Sequence, residues 1–142
     1  MKQELVLKEK LPEGWKWIQL GKICKVMGGF AFKSSEFVNN EIPIVRISNF
    51  NNEVDLSDAV YYPLDSKEKF KQYLLEENDL LIAMSGATTG KIGIIKKENL
   101  PCLLNQRVGK FKILDEKLLM QKYLFYFIKS NTFYKAVTEK AF

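Results

Sequence analysis

Up to residue 115 the apolar residues of this chain come in runs too short for helices, and this restricts the fold more than any other feature. Ile42-Pro-Ile-Val-Arg-Ile47 is a short β-branched run that ends in polar Ser48-Asn49, so it predicts a strand delivering polar groups at its end. Leu80-Leu-Ile-Ala-Met84 and Lys91-Ile-Gly-Ile-Ile95 predict two further buried strands. Gly109-Lys-Phe-Lys-Ile-Leu114 alternates polar and apolar residues, which predicts a half-exposed strand with its lysines outward. Lys67 to Tyr73 reads as a short charged helix. Beyond Asp115, a possible helix cap, the period changes: Met120, Tyr123, Leu124, Phe127 and Ile128 follow the i, i+3, i+4, i+7, i+8 spacing of a helix. Leu119, Phe125 and Tyr126 widen that face beyond one stripe, which suits core packing or a second side buried against another chain or a missing segment. Aromatic residues continue at Phe133, Tyr134 and Phe142. The expected architecture is α+β: a twisted mixed or antiparallel sheet with short helices and a C-terminal helix. We read no internal repeat and no Ser/Gly linker, so residues 1–142 form one domain, with 116–142 helical.

A chain of 142 residues can bury a core without disulfides or metals. Its 46% hydrophobic and 27% charged residues are those of a folded globular domain rather than a disordered one. No apolar run approaches the roughly 18 residues that span a bilayer, so no membrane partner is expected. The start, MKQELVLKEKLPEGW, is charged throughout and lacks the apolar core of a signal peptide. Cys24 and Cys102 are far apart with no C-x-x-C pattern, which reads as two reduced, buried thiols in a cytoplasmic chain. Histidine is absent. That removes Ser-His and Cys-His nucleophile pairs and most zinc sites. The net charge is +5. Residues 84–114 alone carry six basic groups (Lys91, Lys96, Lys97, Arg107, Lys110, Lys112) against Glu98, whereas residues 42–83 carry four basic and eight acidic groups. A localised basic segment suggests a polyanionic partner.

Gly86-Ala-Thr-Thr-Gly90-Lys91 approaches the phosphate-binding loop of nucleotide hydrolases but fails on three counts. Three residues separate the glycines instead of four, Ile92 stands where a magnesium-binding hydroxyl is needed, and Ile-Gly-Ile-Ile is a poor helix start. It suits a tight strand-loop-strand connection instead, in which Gly86 and Gly90 permit positive φ and close backbone approach. Ser85, Thr88, Thr89 and Lys91 would then stand at its tip, where hydroxyls can reach phosphates or base edges, although an ordinary turn explains the same residues. The N/D-P-P-Y/F signature of amino-methyltransferases is missing. Two D-x-K triplets, Asp65-Ser-Lys67 and Asp115-Glu-Lys117, mimic half a nuclease centre but sit at predicted helix starts, where capping accounts for them.

Four segments, in this order, give the chain a resemblance to a known family. They are Leu11-Pro-Glu-Gly-Trp15 with Ile18-Gln-Leu-Gly21; Gly28-Gly29 before Lys33-Ser34-Ser35; Ile42-Pro-Ile-Val-Arg-Ile-Ser-Asn49; and Asn78-Asp-Leu-Leu-Ile-Ala-Met-Ser-Gly-Ala-Thr-Thr-Gly-Lys-Ile-Gly93 with Leu104-Asn-Gln-Arg107. In this order and spacing they resemble the target-recognition domain of a type I restriction-modification DNA specificity subunit. One departure is Asn78, which stands where glycine is usual before the Asp.

The resemblance implies a non-catalytic domain, without a cofactor or metal of its own, that reads one half of a two-part site in double-stranded DNA. It implies a DNA methyltransferase (modification) subunit as partner, a restriction subunit indirectly, and a second specificity half. Whole subunits of this kind carry two such domains joined by long helices. This chain holds one domain and at most the start of a spacer helix, as a half-length subunit, a fragment or a degenerate copy would. Candidate DNA contacts are Lys33, Ser34, Ser35, Arg46, Ser48, Asn49, Thr88, Thr89, Lys91, Asn105, Gln106 and Arg107. Lysine would chiefly neutralise phosphate, while Arg, Asn and Gln can pair with base edges in bidentate fashion. Any of them can instead hold the fold, as Asn105 and Gln106 would by satisfying buried backbone groups. The alternative from another class is a truncated interaction module that binds modification subunits or a partner half through the wide aromatic C-terminal face.

Overall fold

The computed structural model describes residues 10–140; the charged segment 1–9 and the terminal Ala141-Phe142 lie outside the described residues. Among the described residues eight strands form two sheets. They are β1 (Cys24–Gly28), β2 (Ile42–Val45), β3 (Phe50–Val54), β4 (Val60–Tyr62), β5 (Leu80–Ala83), β6 (Ile92–Ile94), β7 (Leu103–Leu104) and β8 (Val108–Ile113). The large sheet has the order β1-β8-β5-β6-β3 and the small one β4-β2-β7. Most neighbours run antiparallel, but β2 pairs with β7 and β3 with β6 in parallel. The α+β class with mixed sheets is therefore the observed one.

At β5, in the middle of the large sheet, both faces are covered, which explains its unbroken apolar run. Leu80 and Ile82 face a cluster with Ile92, Phe111, Leu124, Ile128 and Phe133, beneath the C-terminal helices. Leu81 and Ala83 face the other way, toward Val45, Leu104, Cys102 and Val108, between the sheets. A strand buried on both sides cannot alternate. A third, aromatic cluster (Tyr62, Phe70, Phe30, Phe32, Phe37) closes the far side of the small sheet around Ile42, Ile44 and Leu103. The short charged helix is a single turn, α1 (Ser66–Lys69), followed by a 3-10 turn over Lys71–Tyr73.

The C-terminal helix begins later than Asp115 and is divided in two: α2 (Gln121–Ile128) and α3 (Asn131–Thr138). The Asp115 carboxylate accepts the Lys117 N–H at 2.9 Å, which closes a turn rather than capping a helix. Ser130 makes the break: its hydroxyl donates to the Phe127 carbonyl at 2.6 Å and accepts the Phe133 N–H at 3.2 Å. It thereby ends one helix and caps the next.

The structure also corrects the expectation of no internal repeat. Ile42-Pro-Ile-Val-Arg-Ile-Ser-Asn49 and Ile92-Gly-Ile-Ile-Lys-Lys-Glu-Asn99 share the pattern I-x-I-[VI]-[RK]-x-x-N and the same conformation. Each strand ends in a 3-10 turn closed by its asparagine. The Asn49 Oδ1 accepts the Arg46 N–H at 2.9 Å, and the Asn99 Oδ1 accepts the Lys96 N–H at 2.8 Å. Arg46 (φ −109°, ψ 165°) and Lys96 (φ −103°, ψ 161°) have nearly the same backbone. Each turn then passes its chain to the other sheet. Under a shift of 50 residues, the parallel pair Ile44↔Leu103 of the small sheet becomes Ile94↔Glu53 of the large one. The two strand-turn-strand units are thus exchanged between sheets about a local twofold, and their turns lie at opposite ends of the strands.

Candidate nucleic-acid interface

Four segments distant in sequence meet at one end of the two sheets. The Phe30 N–H donates to the Leu104 carbonyl and the Gln106 N–H to the Phe30 carbonyl, both at 2.9 Å. The Asn105 N–H donates to the Val45 carbonyl at 3.2 Å, and the Met84 N–H to the Arg107 carbonyl at 3.0 Å. The Ile47 side chain lies 3.6 Å from the point where a Cβ on Gly86 would stand. These bonds join the segment after β1, the turn after β2, the β5–β6 loop and the β7–β8 connection into one surface. Gly29 is the tightest point: a Cβ there would stand 2.0 Å from the Leu104 carbonyl oxygen, so only glycine lets these two chains pair.

The β5–β6 loop has the expected glycine chemistry, with Gly86 at φ +74° and Gly90 at φ +87°. Its hydroxyls are less available than the sequence suggests. Thr89 donates its hydroxyl to the Gly86 carbonyl at 2.7 Å, and the Ser85 and Thr88 hydroxyl oxygens are buried without a partner among the described residues. Helix α3 closes one side of the loop, with Tyr134 and Thr138 each 3.3 Å from a Cβ position on Gly90. Spacing alone gave no sign of that contact.

Of the candidate contacts, Ser48, Gln106 and Arg107 are exposed at this end, and Lys91, Thr89 and Asn105 are half-buried. The Asn105 Oδ1 accepts the Arg107 N–H at 3.4 Å, a long bond that steadies the connection. Arg46 is half-buried; its Nη2 donates to the Asp58 carbonyl at 3.3 Å, and its Nε is buried. Two candidates need correction. Asn49 is 3% exposed and its Oδ1 is engaged by the Arg46 N–H, so it holds the turn and presents no edge to a base. Thr88 has a buried hydroxyl and cannot reach a ligand in this conformation. Lys33, Ser34 and Ser35 are exposed but stand apart. They form a 3-10 turn region anchored to the aromatic cluster, where the Lys33 N–H donates to the Tyr62 hydroxyl at 3.2 Å and Phe32 stacks edge-on to Tyr62. The Tyr62 hydroxyl in turn donates to the Glu36 carboxylate.

The basic segment 84–114 is also not one patch in space. Lys91 and Arg107 flank the loop end. Lys96 and Lys97 belong to the second asparagine turn at the opposite end, about 17 Å from Lys91 through β6 at roughly 3.3 Å per residue. There Lys96 pairs with Glu53 at 2.8 Å. Lys112 faces Lys25 directly across the β1–β8 ladder, an arrangement that repels unless an anion lies over it. Next to it, Lys110 pairs with Asp79 at 3.6 Å. Burial pushes the Asp79 carboxyl above its usual range, against the opposing pull of the Glu76 N–H and Lys110. Both thiols are free and buried, as expected. Burial, with the Asp79 charge nearby, pushes Cys102 up to about 12.

A family profile described as type I restriction modification DNA specificity domain matches residues 12–141. The chain belongs to that family. The specificity domain is 43% identical over 107 residues to the EcoAI type I restriction enzyme specificity subunit of Escherichia coli, covering 72% of this chain and 18% of that protein. It is 31% identical over 134 residues to the MjaVIII specificity subunit of Methanocaldococcus jannaschii, covering 92% of this chain and 31% of that protein. The domain therefore spans under a third of the length of these relatives. Among solved structures it shares the fold of the HsdS subunit from Thermoanaerobacter tengcongensis (TM-score 0.61, 21% identity, 89% of this chain and 29% of that one). A type I R-M complex gives TM-score 0.62 at 21% identity, over 87% of this chain and 29% of that one. Among the described residues no helix is long and apolar enough to cross a membrane.

Proposed function

We propose that the specificity domain binds double-stranded DNA with the end of the sheets where the four segments meet, and reads one half of a bipartite target there. Ser48, Gln106 and Arg107 offer hydrogen bonds to base edges, Thr89 and Asn105 support them, and Lys91 neutralises phosphate. The domain does no chemistry itself. It hands the site to a DNA methyltransferase (modification) subunit and, through that subunit, to a restriction subunit, while a second specificity half reads the other part. The observation that carries this reading is the convergence itself: long-range backbone bonds bring polar side chains from three loops onto one exposed surface.

The test is duplex binding as a function of salt. Affinity should fall with a log–log slope of about −0.9 per phosphate contact. Lys91→Glu with Arg107→Glu should weaken binding strongly. Lys96→Glu with Lys97→Glu, at the other end of the strands, should change it little. Equal losses from both pairs would mean that charge rather than this surface drives binding.

A second reading has its own observation. Trp15, Trp17, Leu118, Met120, Tyr123 and Phe127 line an exposed groove of about 420 Å³ between the N-terminal segment and α2. A docking module that does not read DNA would use that groove, and salt-independent or absent DNA binding would favour it.

A further inference from the structure

One apolar side chain stands among the polar loops. Met84 follows the last residue of β5, is 41% exposed, and has its backbone bonded to the Arg107 carbonyl at 3.0 Å. Its position is built rather than incidental. Gly28 and Gly109 pair directly across the β1–β8 ladder and leave the sheet bare there. Met84 lies over that bare stretch, with its Cε 3.5 Å from a Cβ position on Gly28 and its Sδ 3.0 Å from one on Gly109. Val26, 47% exposed, leans over Gly109 from the other side, with its Cγ1 2.3 Å from the same Cβ position. An alanine at 109 would push both side chains out of place. The result is a small apolar patch, half-exposed at Met84 and Val26, that meets the backbone of Gln106 and Arg107.

We propose that Met84, supported by Val26, is a specificity-determining residue that contacts the C5-methyl group of a thymine in the major groove. The inference rests on the DNA-reading proposal above and adds a ligand chemistry to it. Among the groups that base pairs present in the major groove, the thymine methyl is the apolar one, and apolar side chains read it by contact. The neighbouring polar groups suit the rest of a base-pair edge. Arg107 and Gln106 supply donors, while Met84 supplies the soft, adaptable surface that a methyl needs.

The experiment separates the methyl from everything else on the base. The 142-residue chain is first used to select its preferred duplex from random double-stranded DNA. Each thymine of the selected duplex is then replaced, one at a time, by uracil, which lacks only the methyl. One position should weaken binding about fourfold, the worth of one buried methyl. Met84→Ala should bind the thymine and uracil duplexes equally, and Met84→Leu should keep most of the difference. A thymine-to-uracil ratio that is the same in the original chain and in Met84→Ala overturns the proposal, as does a selected duplex in which no methyl matters. Failure of the unsubstituted chain to select any sequence has a different signature, since it removes the DNA-reading proposal and this one with it.

Discussion

The paired asparagine turns allow one stability prediction with an internal control. Asn49→Ala and Asn99→Ala delete the same hydrogen bond in the same local conformation, at opposite ends of β3. What differs is burial: Asn49 is 3% exposed, whereas Asn99 is half-buried and donates a long 3.4 Å bond to the Val54 carbonyl. Losing an asparagine that caps a turn costs about 1 kcal/mol when water can take its place. A buried site that leaves its partner unsatisfied adds about 1 kcal/mol more. We expect about 2 kcal/mol for Asn49→Ala and about 1 kcal/mol for Asn99→Ala. With a urea slope near ~2 kcal/mol/M, the midpoints should fall by about 1 M and about 0.5 M with the slope unchanged. The two sites are separated by about 17 Å of β3 at roughly 3.3 Å per residue, so the double variant should be additive to within ~0.5 kcal/mol. DNA affinity, corrected for the folded fraction, and the selected sequence should be unchanged in Asn49→Ala, because its amide faces the turn. Two results refute the reasoning: equal costs at both sites, which would mean burial is irrelevant, or a changed target sequence in Asn49→Ala alone, which would return that residue to the base-reading set.

Gly29→Ala should be severely destabilising, by more than ~3 kcal/mol, because the clash is with backbone, whereas Gly21→Ala, with nothing within 4 Å, should cost no more than about 0.5 kcal/mol; urea unfolding compares them directly. Burial raises the Asp79 carboxyl above 3.8, so the folded chain holds that proton more tightly than the unfolded chain and stability falls as pH rises from 3.8 upward. Asp79→Asn should remove this component, so the loss of stability between about pH 4 and about pH 7 becomes smaller than in the original chain. Cys24 and Cys102, both raised by burial, should resist iodoacetamide in the folded chain and react fully in urea, as mass spectrometry would show.

Much of the secondary structure is legible in the sequence because single strands carry their own signal. β2, β5 and β6 are apolar runs since both faces are covered, and β8 alternates because one face is not. β4 and β7 are too short, at three and two residues, to show a period, and β1 and β3 owe their stability to neighbours. β1 reads Cys-Lys-Val-Met-Gly with four exposed positions, and β3 reads Phe-Asn-Asn-Glu-Val, so pairing rather than composition makes them strands. The asparagine repeat was present in the sequence all along. Eight loosely matched residues carry little weight until two turns are seen to close on the same bond.

The sequence by itself determined the α+β class, the short strands, the glycine loop that connects two strands, and the family resemblance through four ordered segments. All of these depend on residues near one another along the chain. Only the tertiary structure decided which residues share a surface. It joined the segments at 28–30, 45–49, 84–90 and 104–107 through backbone bonds. It divided the basic run 84–114 between opposite ends of the strands, and it buried Asn49 while leaving Ser48 exposed. The physical reason is geometric. A strand advances about 3.3 Å per residue, so a few positions along the chain separate neighbours widely, while a sheet brings distant strands to within about 5 Å.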